Sequence, residues 1–304
     1  MRFRSARPLR RSLIKILSPV FWGRGRAHNH DWWPFLTITR EANGEPGEAV
    51  YKGKGVARLH PPEHLKKHSR QHIHIIGSGP SIAMNDLPRL EAGSAILLNG
   101  AIDLIGTSIA DPLAIAIEDE RFVSRHFPMM REKIPETATC LFSVGVLRAI
   151  CELNPGWLAA KTIILIDDLR KPYGSGRKTY DELEKLPFIR TNQSHMAALS
   201  LDPTEGTVGA GSVAVTALQF AIYCHPQGIG LFGIDISNAN APRFYETEGT
   251  MAKSGIASAE DRLLAHFALA RSICDEVEIA LWNFSPISAL LKIGLEYDAR
   301  FRKE

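Results

Sequence analysis

The chain has 304 residues, of which 45% are hydrophobic and 23% charged, values that exclude global disorder and a collagen-like polymer. A net charge of +3 is too small for nucleic-acid binding across the whole surface. The four cysteines lie far apart without a Cys-x-x-Cys pair, which argues against a disulfide framework or a structural zinc site and fits a reducing compartment.

Residues 1–26 form a basic arm without an acidic side chain. Lys15 and Pro19 interrupt its short apolar run, residues 13–22, and no small-x-small cleavage site follows, which disfavours a secretory signal. Basic side chains attract anionic lipid by about 1 kcal/mol each, and apolar ones enter the headgroup region. We therefore expect a basic amphipathic arm that associates with an anionic membrane, placing a cytoplasmic protein peripherally on the inner face of the inner membrane. A basic tail with no partner is the alternative. The cations of the arm are Arg2, Arg4, Arg7, Arg10, Arg11, Lys15, Arg24 and Arg26.

Residues 27–71 are polar and rich in turn residues. Two short apolar segments, residues 35–39 and 49–51, flank the turn-prone residues 43–47, a pattern that predicts a hairpin. We expect an N-terminal extension packed on the main domain, residues 72–304. No run of the sequence reaches the roughly 18 consecutive apolar residues that a membrane-spanning helix needs.

From residue 72 onward, short apolar runs alternate with amphipathic helical patterns. Continuous apolar strands separated by helices indicate a mainly parallel sheet with helices on both faces, an α/β, Rossmann-like fold. The predicted strands are residues 72–76, 95–98, 113–117, 162–166, 228–232 and 277–281, and the predicted helices are residues 143–153, 212–224 and 259–274.

The first of these strands runs directly into the turn Gly77-Ser78-Gly79-Pro80-Ser81. A glycine turn at this place lets the backbone approach a nucleotide, and the helix that follows directs its N–H groups at anionic oxygen. The third glycine of a dinucleotide fingerprint is absent, because Ile82 occupies its position. A tight turn without a ligand is the alternative.

The second predicted strand ends in Asn99. The carboxyl ends of neighbouring parallel strands line one crevice, so we expect Asn99 to stand beside Ser78. An Asn side chain offers both a donor and an acceptor, which suits a base, a ribose or a reacting sugar.

A third candidate element begins with the small-residue turn Gly209-Ala210-Gly211-Ser212, which opens a predicted helix. The start of such a helix can hold a phosphate or a carboxylate. The next strand ends in Gly233-Ile234-Asp235, and a loop with Arg243 and Tyr245 follows. A solvated loop with one buried ring is the alternative for these two residues.

In this order, the three elements resemble the bacterial lipooligosaccharide sialyltransferases. That family begins with a strand and a Gly-Asn-Gly-Pro-Ser turn, matched here by residues 77–81, and places an Asn after its second strand, matched by Asn99. It then has a Ser-Gly turn, matched by Gly211-Ser212, and a strand ending in Gly-Ile-Asp, matched by residues 233–235. A helix, a strand and a Pro-Asn-Ser-like turn close the domain, and Ser285-Pro286 is similar. The resemblance spans roughly residues 72–294.

The resemblance implies a GT-A-like variant of the fold, a CMP-activated 2-keto sugar acid as donor and a lipid-linked oligosaccharide as acceptor. It also implies inversion at the anomeric carbon with neither a metal nor a cofactor. Arg243 or Tyr245 would take the place of the family's phosphate-binding tyrosine, and Ser212 that of the serine near the donor carboxylate. The donor-binding residues would be Gly77, Ser78, Gly79, Pro80, Ser81, Asn99, Gly211, Ser212, Asp235 and Ser237.

Some positions depart from the family pattern. Residues 253–258, where the family has its general-base His, contain no His, and Ser237 stands where the family has a second phosphate-binding tyrosine. These differences favour transfer of Kdo, another CMP-linked keto sugar acid, onto a lipopolysaccharide core. His195 or His266 would supply the base, although a lone His is more often structural.

Two other functions fit parts of the sequence. A pterin pyrophosphokinase-like enzyme also begins with a glycine-Pro-Ser turn, and would need magnesium ligands, for which Asp167, Asp168 and Asp235 are the candidates. A degenerate member that binds a glycan or scaffolds an assembly would fit the missing His.

Overall fold

A computed structural model describes residues 8–40, 47–194, 196–236 and 260–304. The chain divides into two compact units. Unit 1 comprises Met1–Pro61 and Ile117–Thr179, and unit 2 comprises Pro62–Ala116 and Tyr180–Glu304. The strands are β1 (Leu36–Thr39), β2 (Gly47–Tyr51), β3 (Lys54–His60), β4 (His72–Ile76), β5 (Ala95–Leu98), β6 (Ala114–Ile117), β7 (Thr139–Ser143), β8 (Thr162–Ile166), β9 (Ile189–Thr191), β10 (Ala198–Ser200), β11 (Gly228–Phe232) and β12 (Ala280–Asn283). The α-helices are α1 (Leu9–Trp22), α2 (Glu63–His68), α3 (Glu120–Lys133), α4 (Val144–Leu153), α5 (Tyr180–Glu184), α6 (Val213–Cys224) and α7 (Glu260–Glu276).

In unit 1 the strands lie in the order β1-β2-β3-β8-β7. The predicted hairpin is confirmed, because β1 and β2 pair antiparallel with Leu36 opposite Tyr51. β3 pairs antiparallel with β2 and then parallel with β8, where Leu59 lies opposite Ile163. β1 alternates buried Leu36 and Ile38 with exposed Thr residues, as a strand with one solvated face does.

In unit 2 the strands lie in the order β6-β5-β4-β11-β12, and every pair among them is parallel. All residues of β5, β6 and β11 are buried, as expected of strands covered on both faces. α6 is buried along almost its whole length, and α7 packs against α6 and β12. β9 and β10 form a separate antiparallel pair.

The α/β class with mostly parallel strands is confirmed, and β4, β5, β8 and β11 have the predicted bounds. The last strand is displaced from the predicted residues 277–281 to Ala280–Asn283, because α7 continues to Glu276. β3, β7 and α3 were not predicted. None of the helices among the described residues is long and apolar enough to cross a bilayer.

The units differ from the predicted division into residues 1–26, 27–71 and 72–304. β3 joins the chain before Pro61 to β8, so these residues form one unit with residues 117–179 rather than a separate extension. The later part of the predicted extension, including α2, belongs to unit 2.

Candidate functional site

The glycine turn after β4 packs directly on the turn after β11. Gly77 N donates to Phe232 O at 2.8 Å, and Gly79 N donates to Gly233 O at 3.0 Å. A Cβ atom at Gly77 would lie 2.5 Å from Gly233 O, and one at Gly79 would lie 2.5 Å from Asp235 Oδ2. The glycines are therefore required by the close approach of the two strand ends, whether or not a ligand binds there.

The carboxylate of Asp235 joins the ends of three neighbouring strands. It accepts hydrogen bonds from Ser81 N at 2.8 Å and Ser81 Oγ at 2.7 Å. A third bond comes from Ser285 Oγ, beyond β12, at 2.5 Å. Both serines are fully buried, so these three charge-assisted bonds offset the loss of water around the carboxylate.

The segment after β12 completes this framework. Asn283 Nδ2 donates to Ser285 O and Leu295 O, and Ser288 Oγ donates to Ile234 O at 2.7 Å. Sequence reasoning singled out Ser285 but missed Asn283 and Ser288. The sequence pattern that could have identified them is a cluster of small polar residues directly after an apolar strand. The same pattern identified residues 77–81.

The helix expected after the first glycine turn does not form. A 3-10 helix of five residues, Pro80–Met84, follows the turn instead. Pro80 has no N–H group, and Ser81 N donates to Asp235, so these first two positions offer no backbone donor to an anion. The expectation that the dipole of a long helix holds a phosphate at this turn is therefore wrong.

Asn99 lies at the same edge of unit 2, directly after β5. Ile76 pairs with Leu97 in the parallel register, so Ser78 and Asn99 each stand two residues beyond paired positions. Asn99 has a left-handed φ of 46°, and its buried Oδ1 has no hydrogen-bond partner among the residues that the structure describes. A buried acceptor without a partner costs about 1–3 kcal/mol, a cost that a hydrogen-bond donor of a ligand would remove.

The turn before α6 adopts a conformation that favours glycine, with φ of +85° at Gly211. Ser212 caps α6, and its Oγ accepts a hydrogen bond from Ala214 N at 3.4 Å. The predicted helix start at residue 212 is thus confirmed to within one residue.

Sequence reasoning missed Arg262, an exposed residue in the first turn of α7. Its Nε donates to Ala210 O at 3.0 Å. Its Nη2 lies 2.9 Å from the point where a Cβ atom on Gly211 would be. The guanidinium therefore lies beside the N-terminal end of α6. A fixed cation next to a helix N-terminus creates positive potential for a phosphate or carboxylate. The sequence does not indicate this position of Arg262, because it depends on how α7 packs against α6.

The three predicted catalytic residues, His195, Arg243 and Tyr245, lie outside the described residues, as does Ser237. Their roles stay predictions. His266, the second candidate base, is fully buried in α7, and its Nδ1 donates to Arg262 O at 2.7 Å. This geometry fits a structural histidine.

The acidic residues considered as metal ligands are engaged elsewhere. In unit 1, Asp167 pairs with Arg40 and accepts a hydrogen bond from Tyr173 N at 3.1 Å. Burial raises the pKa of the Asp167 carboxyl, and Arg40 opposes this shift. Asp168 Oδ1 accepts a bond from Arg170 N. Within the described ranges, no three His, Cys, Asp or Glu side chains are arranged to hold a metal ion.

Neither a family model nor a curated protein matches the sequence. Three solved structures are similar at the level of coarse fold. The sialyltransferase CstII from Campylobacter jejuni with the substrate analogue CMP-3FNeuAc is 13% identical, with a TM-score of 0.40, over 77% of this chain and 89% of that chain. CST-II with a trisaccharide acceptor and CMP is 12% identical, with a TM-score of 0.41, over 77% and 88%. The Campylobacter jejuni enzyme with cytidine-5'-monophosphate is 14% identical, with a TM-score of 0.32, over 74% and 84%.

Proposed function

We propose that the chain is a glycosyltransferase that moves a 2-keto sugar acid, Kdo or sialic acid, from CMP to a lipopolysaccharide or lipooligosaccharide core. The observation that carries the proposal is the convergence of separate motifs in unit 2. Asp235 binds Ser81 and Ser285, and Asn99 directly follows β5, the strand beside β4. Residues from four parts of the sequence thus line one edge of the parallel strands, where ligands bind in open α/β sheets.

A donor with a single phosphate fits this edge better than a dinucleotide does. The first glycine turn lacks the long helix that holds a pyrophosphate, and its Ser81 donors are taken by Asp235. Arg262 and the start of α6 provide one concentrated region of positive potential. This is sufficient for one phosphate or for the donor's carboxylate.

The chemistry needs a proton acceptor and a stabilised leaving group. The acceptor hydroxyl attacks the anomeric carbon, a base removes its proton, and the bond to CMP breaks with its electron pair remaining on the phosphate oxygen. His195 is the proposed base. Arg243 or Tyr245 is proposed to stabilise the departing phosphate, a role that a cation or phenol fills without a divalent ion.

The pyrophosphokinase alternative is less well supported by the geometry. Its three candidate metal ligands hold other partners: Asp167 pairs with Arg40, Asp168 binds Arg170 N, and Asp235 binds two serines. The scaffold alternative predicts the same binding edge without turnover, so only an activity measurement separates it from the transferase.

Donor binding tests the proposal through Asn99. CMP should raise the melting temperature more than AMP or NAD at equal concentration, because a ligand of the native state stabilises it according to its affinity. Asn99→Gly removes the amide and keeps a residue suited to positive φ, so it should fold as well and lose the shift. Lys52→Gly is the matched control, since Lys52 also has a left-handed φ of 50° but lies in unit 1. A larger shift with ATP or NAD, or an unchanged CMP shift in Asn99→Gly, would contradict the proposed site.

A further inference from the structure

α1 exposes an apolar face to solvent. Its exposed large apolar side chains recur at helical spacing along one side, and four of them are at least 70% exposed: Leu9 at 80%, Ile16 at 70%, Val20 at 79% and Phe21 at 71%. An amphipathic helix of a globular protein normally turns this side towards the core. The exposed apolar residues are Leu9, Leu13, Ile16, Leu17, Val20 and Phe21, and we call them the α1 apolar face.

The two buried residues of α1 are polar and lie on the opposite side of the helix. Arg11 and Ser18, seven residues apart, are each only 2% exposed. The Arg11 guanidinium donates to Trp33 O at 2.7 Å and also to His30 O, and it lies 3.8 Å from the Glu120 carboxylate. The side of α1 that carries Arg11 therefore packs against the rest of unit 1, the reverse of the usual arrangement.

This orientation is fixed by a buried charge cluster. Glu120 also pairs with Arg148, which in turn pairs with Glu152 at 2.7 Å. Burial lowers the pKa of Arg11 to about 10, so its guanidinium stays charged at neutral pH. Turning the α1 apolar face inward would separate Arg11 from Glu120 and remove its guanidinium from the carbonyl oxygens of His30 and Trp33, which is unfavourable. The apolar face is thus held outward.

The charged side chains around the α1 apolar face indicate which kind of partner covers it. Arg10, Lys15, Arg24 and Arg26 are exposed on α1 or directly after it, and the first 26 residues carry no acidic side chain. A second copy of the same helix would bring these like charges together. An anionic lipid surface instead pairs with the cations while its acyl region accepts the apolar side chains.

We propose that the α1 apolar face inserts into the headgroup boundary of an anionic membrane, with Arg11 and its partners setting the depth and orientation of unit 1. The proposal does not depend on the catalytic function. It is compatible with a lipid-linked acceptor, because it brings the protein to the surface where such an acceptor is found.

Vesicle flotation of the full chain tests the apolar part. Wild-type protein should bind vesicles of phosphatidylglycerol and phosphatidylcholine, and Ile16→Gln with Val20→Gln should weaken binding at least tenfold. Leu153→Gln with Leu291→Gln is the matched control, because these are exposed apolar residues outside α1, and its binding should be unchanged. Unchanged melting temperatures would show that every variant folds.

The charged part has its own test. Arg10→Gln, Arg24→Gln and Arg26→Gln together should weaken binding to the anionic vesicles about 100-fold at low salt, with a smaller effect at high salt. Equal binding of wild type and Ile16→Gln/Val20→Gln, or equal binding to pure phosphatidylcholine, would overturn the proposal. So would self-association in sedimentation that Ile16→Gln/Val20→Gln abolishes, because the face would then join two copies of the chain.

Discussion

The carboxylate of Asp235 accepts hydrogen bonds from both the backbone N–H and the hydroxyl of Ser81, a residue 154 positions earlier in the chain. Ser285 donates a third bond to the same carboxylate. This contact explains why Gly-Ser-Gly-Pro-Ser and Gly-Ile-Asp occur together: the first supplies donors and small residues, and the second supplies the acceptor. Asp235 therefore has a structural role, because it holds together the segments that follow β4, β11 and β12.

We expect Asp235→Ala to lower the free energy of unfolding by about 2–4 kcal/mol, because it leaves two buried serine hydroxyls and one N–H without their charged acceptor. Ser81→Ala should cost about 1.5–3 kcal/mol, and the double variant should cost less than the sum of the two. Urea unfolding measures all three. Asp275→Ala, at an exposed position of α7, is the control and should change stability little. Additive effects would show that the two residues are not coupled.

Gly79→Ala should destabilise the chain by about 1–3 kcal/mol, since the new methyl group would lie 2.5 Å from Asp235 Oδ2. Gly176→Ala is the matched control, because a Cβ atom there meets nothing within 4 Å. Thermal unfolding distinguishes the two. A stability loss equal in both variants would mean that the close packing of the two turns plays no part.

Acid should destabilise the protein through His74. This β4 residue is buried among the rings of Phe232, Phe284 and Phe301, and burial lowers its pKa from 6.5 to about 4. Between these two pKa values the unfolded chain binds a proton that the folded chain does not, so stability falls as the pH decreases. The contribution lost between pH 7.5 and pH 5 is about 2 kcal/mol.

Burial also lowers the pKa values of His28 and His30, so the His74 effect needs a comparison of variants. His74→Leu should lose about 2 kcal/mol less stability than wild type between pH 7.5 and pH 5, measured by urea unfolding at both values. Parallel pH profiles for the two proteins would contradict the assignment.

Arg262→Ala should lower turnover about 10²–10³-fold if its guanidinium stabilises the charge on the departing phosphate. Arg271→Ala is the matched control on the same helix, because Arg271 also donates to a backbone carbonyl, that of Ile293, and should leave turnover unchanged. Steady-state kinetics on the two variants separates charge stabilisation from folding. A normal rate in Arg262→Ala would remove this residue from the site.

Arg243→Ala should have a similar effect, about 10²–10³-fold on turnover with a smaller change in the Michaelis constant for the donor. Chelator should leave the rate unchanged, because in the proposed mechanism the cation takes the place of a metal. Activity that vanishes with chelator and returns with magnesium would contradict the metal-free mechanism, and Asp167 and Asp168 would become the residues to test.

The sequence predicted the strands that are mostly buried. β5 and β11 are short runs without a charged or polar side chain, and the bounds of both strands followed directly. β3 was missed because Lys54, Arg58 and His60 break its pattern, although its residues pair with strands on both sides. β7 was missed because its five residues run directly into α4, and Ser143 is both the last strand residue and the cap of the helix.

The candidate site was predictable in its turns but not in its contacts. Small residues after apolar strands identified residues 77–81, Asn99 and residues 233–235. The bond between Asp235 and Ser81, and the position of Arg262 beside Gly211, depend on how distant segments pack. The expectation that the cations of the arm attract anionic lipid included Arg11, which is buried in the structure. Its burial follows from Glu120 and the carbonyl groups of His30 and Trp33, which local sequence does not reveal.

Release of CMP is the most direct test of the central claim. The full chain is incubated separately with CMP-Kdo, CMP-sialic acid and ATP, each with and without a lipooligosaccharide core acceptor, and CMP and AMP are measured. We expect acceptor-dependent release of CMP from one of the two CMP-sugars, no AMP from ATP, and loss of CMP release in Asn99→Gly. Release of AMP from ATP, or no CMP release from either sugar donor in the presence of acceptor, would contradict it.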